Sequence, residues 1–422
     1  MKKHLLFLLL AVCSTQLFAQ GHLISHTLFK TVTKDEYRAV LKKRHVPKSL
    51  APSRYTVDVY DITYYTKWHD GSTIKASGLC FVPRNAKEAL PTVVYHHGTR
   101  LEKGRSQNLN SQDYLCLGMA MDGYVVIEPD YIGLGEGDKF HLYQVASSMG
   151  QATVDMLFAL RDMEDTLGMK SNGQLFLTGY SEGGYGALAA QKLIEDKYSD
   201  QFHVTASSPM SGAYAMSTVM SQVMFHNYPR PHYLPYLLHS YNEVYHFVSP
   251  DINVAYKAPY DTIIPKLFDG THGYAQIDKV LPHVPKDMLK DTFVNMFISQ
   301  PNFPFKVALK ENDLDNWLPK APVQLCYCDS DHQVSCQNAL VAYKNMRALG
   351  AKHVTLRDAG KRYDHGGCAV FASLYTKMYF DSFRKGSKYG RKGPAGKRFM
   401  VSLAKMIVNK QMAKHKHHEN EG

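Results

Sequence analysis

The sequence predicts an α/β protein, a mostly parallel eight-stranded sheet flanked by helices and interrupted by one inserted helical segment. Three observations predict it. Short β-rich runs alternate with helix-period segments from residue 54 onward, the pattern of a sheet covered on both faces. The run Gly179-Tyr180-Ser181-Glu182-Gly183 stands between apolar Leu175-Phe176-Leu177 and helix-like Tyr185 to Ala190, as a sharp strand-to-helix turn would. Asp331 and His365 then follow two later strands, so Ser, Asp and His occur in that order, each beyond a strand end.

The elements read in chain order as follows. Thr33 to Lys43 has the charge pattern of a short surface helix, and Arg54 to Tyr65, rich in Tyr, Val, Ile and Thr, reads as the first strand. Ile74 to Val82 is the second, closed by Pro83, and the two can pair antiparallel. Thr92 to His96 is a short buried strand, followed by a helix around Asp113 to Met121. Tyr124 to Glu128 is a strand running into the glycine-punctuated loop Pro129 to Gly135. Apolar positions Val145, Met149, Val154, Leu157, Phe158 and Leu160 place a long helix over Tyr143 to Leu167. The strand at Leu175 to Leu177 and a helix to about Asp196 flank the turn. Val204 to Ser207, Val323 to Tyr327 and Val354 to Leu356 complete the eight strands, with a helix at Asn338 to Leu349 between the last two.

Domain organisation follows from where this alternation stops. Residues 1–19 have a basic start, an apolar centre from Leu5 to Val12 and a small-residue end at Ala19, the form of a signal peptide, so the chain is expected to be exported, periplasmic or secreted. Lipidation at Cys13 is a lesser alternative, because Val12 is bulky just before it. Residues 20–211 and 321–385 form the α/β core. Residues 212–320 interrupt it with Tyr228, Tyr233, Tyr236, Tyr241 and Tyr245 interleaved with His226, His232, His239 and His246, and read as a helical cap over the turn. Residues 386–422 are a basic C-terminal extension.

Of the net charge of +11, the whole excess lies in Arg384 to Lys416, which contains eleven Lys or Arg and no Asp or Glu. No nucleic-acid motif accompanies it, so nucleic acid is not an expected partner. Within it Phe399, Met400, Leu403, Met406 and Ile407 recur at helical spacing opposite Arg398, Ser402, Lys405 and Asn409. This is a basic amphipathic helix that either docks on the body or attaches weakly to an anionic surface. Cys326, Cys328 and Cys336 surround Asp331, and an oxidising compartment permits a bridge that stiffens that loop, with the connectivity left open. The C-x-C spacing is wrong for a zinc knuckle, and neither a metal nor a cofactor is expected.

The chemistry implied by these motifs is nucleophilic. A serine hydroxyl needs a base to take its proton and a third group to hold that base in one tautomer. The helix beginning after Ser181 turns its free N–H groups and positive dipole end toward a developing oxyanion. Asp331 competes with Asp329 for the acid, and His365, in Tyr363-Asp364-His365-Gly366-Gly367, is the best placed of the histidines.

Ser181, Asp331 and His365, together with His97-Gly98-Thr99 after the third strand and Pro129-Asp130-Tyr131 after the fourth, resemble the α/β-hydrolase superfamily and within it the secreted lipase and esterase group. The resemblance spans roughly residues 54–383. It implies Ser181 as nucleophile, His365 as base and Asp331 as acid, Asp331 fitting because Val334 follows three residues on. It also implies oxyanion donors in the backbone N–H of Glu182 and of Thr99 or Gly98, with Tyr180 beside the substrate. The expected function is hydrolysis of carboxylic esters, small-molecule, lipid or acylated sugar, through an acyl-enzyme. A serine peptidase on the same fold is the alternative, disfavoured because too little chain precedes the third strand for an N-terminal propeller. A non-catalytic binding protein is the other, disfavoured because all three positions of the set are filled.

Overall fold

The computed structural model describes residues 21–43, 46, 50–105, 108–249, 251–391 and 393–406, so the signal-peptide reading at 1–19 and the tail beyond 406 lie outside the described residues. One nine-stranded sheet organises the chain, in the order β1-β2-β3-β5-β4-β6-β7-β8-β9. Its strands are β1 (Leu23–Val32), β2 (Val57–Lys67), β3 (Thr73–Pro83), β4 (Leu90–His96), β5 (Val125–Pro129), β6 (Ser171–Tyr180), β7 (Val204–Met210), β8 (Val323–Cys328) and β9 (Val354–Gly360). The pairings β1/β2, β2/β3 and β3/β5 are antiparallel and the remaining five are parallel.

The sheet therefore has one strand more than the eight expected. The addition is β1, a half-exposed edge strand whose register against β2 shifts twice, so its sequence lacks the period-2 apolar pattern that marks a strand with one buried face. The central strands read more plainly because every residue of β4 and β5 is buried, which demands a continuous apolar run.

Helices cover both faces: α1 (Lys34–Lys43), α2 (Asp113–Met121), α3 (Ala146–Leu167), α4 (Glu182–Lys197), then α5 (Tyr233–Tyr245), α6 (Asp291–Ser299) and α7 (Pro304–Glu311) between β7 and β8, and α8 (Gln337–Ala348) and α9 (His365–Arg384) after them. A last helix, α10, covers residues 395–406. α9 lies on one face of the sheet, burying Phe371, Met378, Phe380 and Phe383, each worth about 1.5–3 kcal/mol. Its register is fixed by Lys377, whose ammonium donates to Asp122 at 2.5 Å and to Asp381 at 2.9 Å. That anchoring holds the first residue of α9, His365, against the end of the sheet.

Between β7 and β8 the chain is helical, with short 3-10 turns and one isolated bridge, Tyr256 to Leu289. Phe305 packs against Phe247, Phe293 and Phe297, and this aromatic group belongs to the same buried cluster as Tyr131, Leu142 and Tyr185 of the body. The segment is thus fused to the sheet layer through apolar contact, above the end of β6.

Candidate active site

The site is built outward from Ser181. This residue has φ 62° and ψ −121°, a left-handed conformation that an L side chain adopts only where its surroundings enforce it. The enforcement is visible. The Ser181 N–H donates to the Met210 carbonyl at 2.9 Å, and its own carbonyl accepts from Gly184 and Tyr185 in the first turn of α4. At Gly183 a Cβ would lie 1.9 Å from the His96 carbonyl oxygen, so only glycine lets α4 approach β4 this closely.

His365 and Asp331 meet at the same sheet end. His365 Nδ1 lies 2.7 Å from Asp331 Oδ2, while Oδ1 of Asp331 accepts the N–H groups of Gln333 and Val334 at 3.0 and 2.9 Å. An acceptor on Nδ1 fixes the proton there and leaves Nε2 of the neutral ring with a free lone pair. Asp329 and His332 are exposed, and Asp364 caps α9 by accepting the Gly367 N–H at 2.8 Å. Tyr180 lines the wide cavity described below and also meets the histidine: its hydroxyl donates to the His365 carbonyl and its ring lies 4.9 Å from the imidazole.

The two amides expected to face an oxyanion differ in availability. Gly98 N–H already donates to Gln112 Oε1 at 2.8 Å, which leaves Thr99 as the candidate on that strand end. The Thr99 side chain lies against the phenols of Tyr143 and Tyr233. The His97 carbonyl before it accepts from the Tyr131 hydroxyl at 2.7 Å, so the loop after β5 holds this strand end. The same loop reaches the other amide. His141 Nδ1 faces the Ile132 carbonyl at 3.0 Å, which can only accept, and Nε2 meets Glu182 Oε1 at 2.6 Å. Nδ1 must then carry a hydrogen. The Glu182 side chain is buried and lines neither of the cavities that open at Ser181.

His96 cross-links β4 to β6 and α3, with ring nitrogens 3.0 Å from the Thr178 carbonyl and 2.8 Å from Thr153 Oγ1; burial lowers its pKa to about 4, so it stays neutral. Beneath the site Asp130 would be raised by burial, but Arg105 and then Arg100 and Ser77 overcome this and hold it at about 2. Its neighbour Glu128 goes the other way. Burial, with Asp113 beside it, outweighs Arg100 and Arg105 and raises it to about 8.

Two cavities open at Ser181. One is a narrow apolar slot of about 60 Å³ running from Ser181 past Met216, Met220 and Met224 to Phe305 and Leu309. The other is a wide, more polar cavity of about 630 Å³, whose walls include Thr99, Gln112, Arg230 and His365. Tyr143 and the methionines were not singled out in the sequence. Their signal was present, since Met216, Met220 and Met224 recur at i, i+4 and i+8. Of the five tyrosines singled out in the inserted segment, Tyr228 and Tyr233 line the slot; Tyr236 stacks on Tyr143 and Tyr241 donates to the Gln144 carbonyl.

Among the described residues one disulfide joins Cys328 to Cys368, and Cys80, Cys116, Cys326 and Cys336 are free thiols. The bridge expected near Asp331 therefore runs to α9. Among the described residues no group of three His, Cys, Asp or Glu stands together as a metal-ligand set.

A strained serine between strand and helix, in a nine-stranded sheet with this order of crossovers, is the α/β-hydrolase fold. Among proteins of that fold its likeness is to lipases and esterases. The Secretory lipase family model matches residues 103–221, which include the turn at Ser181. Among solved structures, a Legionella pneumophila protein designated a hydrolase shares 27% identity at TM-score 0.80, covering 86% of this chain and 99% of that one. The rice cell wall degrading esterase LipA of Xanthomonas oryzae, in a ligand-bound form, shares 27% identity at TM-score 0.76, covering 85% and 96%. Candida antarctica lipase A in its closed state has the same fold at 15% identity and TM-score 0.65, covering 90% and 84%. Among curated proteins none matches the chain significantly.

Proposed function

We propose that this protein is an exported serine esterase that cleaves carboxylic esters through Ser181, His365 and Asp331. The observation that carries the reading is the 2.7 Å contact from His365 to Asp331 in the cavity wall that also holds the strained Ser181. Nε2 of His365 takes the Ser181 proton as Oγ adds to the ester carbonyl, and the imidazolium is stabilised by the Asp331 carboxylate. The oxyanion is met by the N–H groups of Glu182 and Thr99. Collapse expels the alcohol, which leaves with the proton from His365. Water then adds to the acyl-enzyme with His365 again as base, and the acid departs as Ser181 regains its proton.

The two cavities divide the substrate. The apolar slot suits an unbranched acyl chain, and the wide polar cavity suits a hydroxyl-bearing leaving group the size of a sugar unit. An acylated cell-wall or saccharide ester fits both, in keeping with the cell-wall esterase among the similar structures. Residues 212–320 act as the cap that forms the far wall of the slot. Export is supported by the signal-peptide pattern at 1–19, by the secretory family match and by a disulfide, which an oxidising compartment sustains.

Turnover of p-nitrophenyl esters of graded chain length and of acetylated or feruloylated sugars, compared with aminoacyl amides, tests the assignment. Cleavage of the esters with Ser181→Ala inactive supports it. Faster cleavage of the amides, or full activity in the variant, overturns it.

A further inference from the structure

We propose that α10 (395–406) docks the protein on an anionic phospholipid surface. Phe399, Leu403 and Met406 stand at i, i+4 and i+7, so they share one stripe of the helix, and they are 69%, 41% and 61% exposed. A helix that merely packs on a body covers its apolar side and shows a polar one to water. Here a different side does the packing: Val401 is fully buried against the α9 layer, with Met400 and Ala404 partly buried beside it. The helix is thus held by one face while a second apolar stripe is left uncovered.

Charge selects what covers that stripe. Arg384 to Lys416 carries eleven Lys or Arg and no acidic residue, in a chain whose total excess is +11. Arg384 and Lys397 are engaged with Asp381, whereas Lys385 and Arg398 project into solvent and Arg398 adjoins Phe399. An anionic polysaccharide would answer these charges and leave Phe399, Leu403 and Met406 in water. A bilayer with anionic headgroups answers both, with apolar side chains below the phosphate level and guanidinium and ammonium groups at it.

Position gives the contact a use. The Tyr363 hydroxyl reaches the Lys405 carbonyl at 3.5 Å, and the Lys405 ammonium lies 5.5 Å from the Phe371 ring centre. Val370, next to Phe371, is 56% exposed and lines the wide cavity that holds His365. The uncovered stripe therefore belongs to a helix packed beside the cavity rim, and docking would bring that rim near the lipid. The docking itself does not depend on ester hydrolysis being the activity.

Cosedimentation of the mature full-length protein with vesicles of phosphatidylcholine alone, or of phosphatidylcholine mixed with phosphatidylglycerol, tests this directly. Binding should favour the mixed vesicles by roughly tenfold or more and weaken as salt is raised. A variant with Phe399→Ser, Leu403→Ser and Met406→Ser, and a second with Lys385→Gln and Arg398→Gln, should each lose most of that binding. All five side chains are exposed, so both variants should melt like the parent and hydrolyse a soluble short-chain ester at the parent rate. Equal binding to neutral vesicles, or parent-level binding by the serine variant, would overturn the proposal. So would tighter retention on polygalacturonate than on mixed vesicles, or self-association that the serine variant abolishes.

Discussion

Cys328 and Cys368 are joined by a disulfide, Cα to Cα 5.9 Å, that stands three residues before Asp331 and three residues after His365. The acid loop and the first turn of α9 are therefore tied covalently on either side of the His365–Asp331 contact. Cross-linking restricts the unfolded chain, and here it also restricts the relative position of two loops in the native one. Cys328→Ser combined with Cys368→Ser should lower stability by about 2–4 kcal/mol. It should also lower kcat well below the melting temperature, with KM little changed. Thermal melts and steady-state turnover of the pair, alongside the parent with and without dithiothreitol, check both halves.

The Glu182 and His141 side chains meet at 2.6 Å outside both cavities that open at Ser181. Glu182→Ala removes the partner of His141 Nε2 and frees the first turn of α4 to shift, so the oxyanion amide loses its placement. A drop in kcat of roughly 10²-fold is expected, the scale of losing one oxyanion donor. Glu182→Gln can turn its amide N–H toward Nε2 of the neutral ring, keeps the contact, and should recover most of the rate. A mere packing role would lower stability in the alanine variant and leave kcat at low temperature untouched, so rates at 10 °C separate the two.

The contrast between what could and could not be read in advance has physical causes. The placement of Ser181, Asp331 and His365 at one sheet end was legible because strand, tight turn and helix impose strict residue types, and glycine at 179 and 183 is demanded by backbone approach rather than preference. The central strands were legible because full burial writes itself as an unbroken apolar run. β1 was not, since an edge strand exposed on both faces carries no such constraint. Nor could the choice between Gly98 and Thr99 be made, because it depends on Gln112, fourteen residues away, occupying the Gly98 amide. The contact of Glu182 with His141 and the disulfide partner of Cys328 were hidden for the same reason: contacts between distant loops leave no periodic trace.

The slot's apolar wall makes chain length a property of named side chains. Met216→Ala should enlarge the slot and shift the preferred acyl group toward longer chains. A change of about 1–3 kcal/mol per methylene accommodated corresponds to roughly tenfold or more in relative kcat/KM. Ala213 also lines the slot, and Ala213→Leu should act in the opposite sense. Profiles over p-nitrophenyl acetate to laurate read both shifts.

Glu128 predicts a pH effect on stability. Its pKa is raised by folding from the ordinary carboxylate range to about 8, so the native state holds a proton that the unfolded chain has released. Stability from this group is present below the unfolded pKa and is lost as pH rises toward 8. Glu128→Gln, which cannot titrate, should be spared that loss. The melting temperature of the variant minus that of the parent should therefore increase between pH 5 and pH 8, and a difference independent of pH would contradict the assignment.

Asp331→Asn should cut kcat by roughly 10³–10⁴-fold with the fold intact, because an amide in place of the carboxylate disfavours the His365 tautomer that leaves Nε2 free. Circular dichroism and turnover of the purified variant check it.

The central claim, that Ser181 is the nucleophile activated by His365, is tested most directly by covalent labelling with a fluorophosphonate followed by peptide mass spectrometry. The account predicts one adduct, on the peptide bearing Ser181, with its formation slowed at least a hundredfold in His365→Ala. An adduct on another residue, no adduct in an active preparation, or labelling of Ser181 at an undiminished rate without His365 would contradict it.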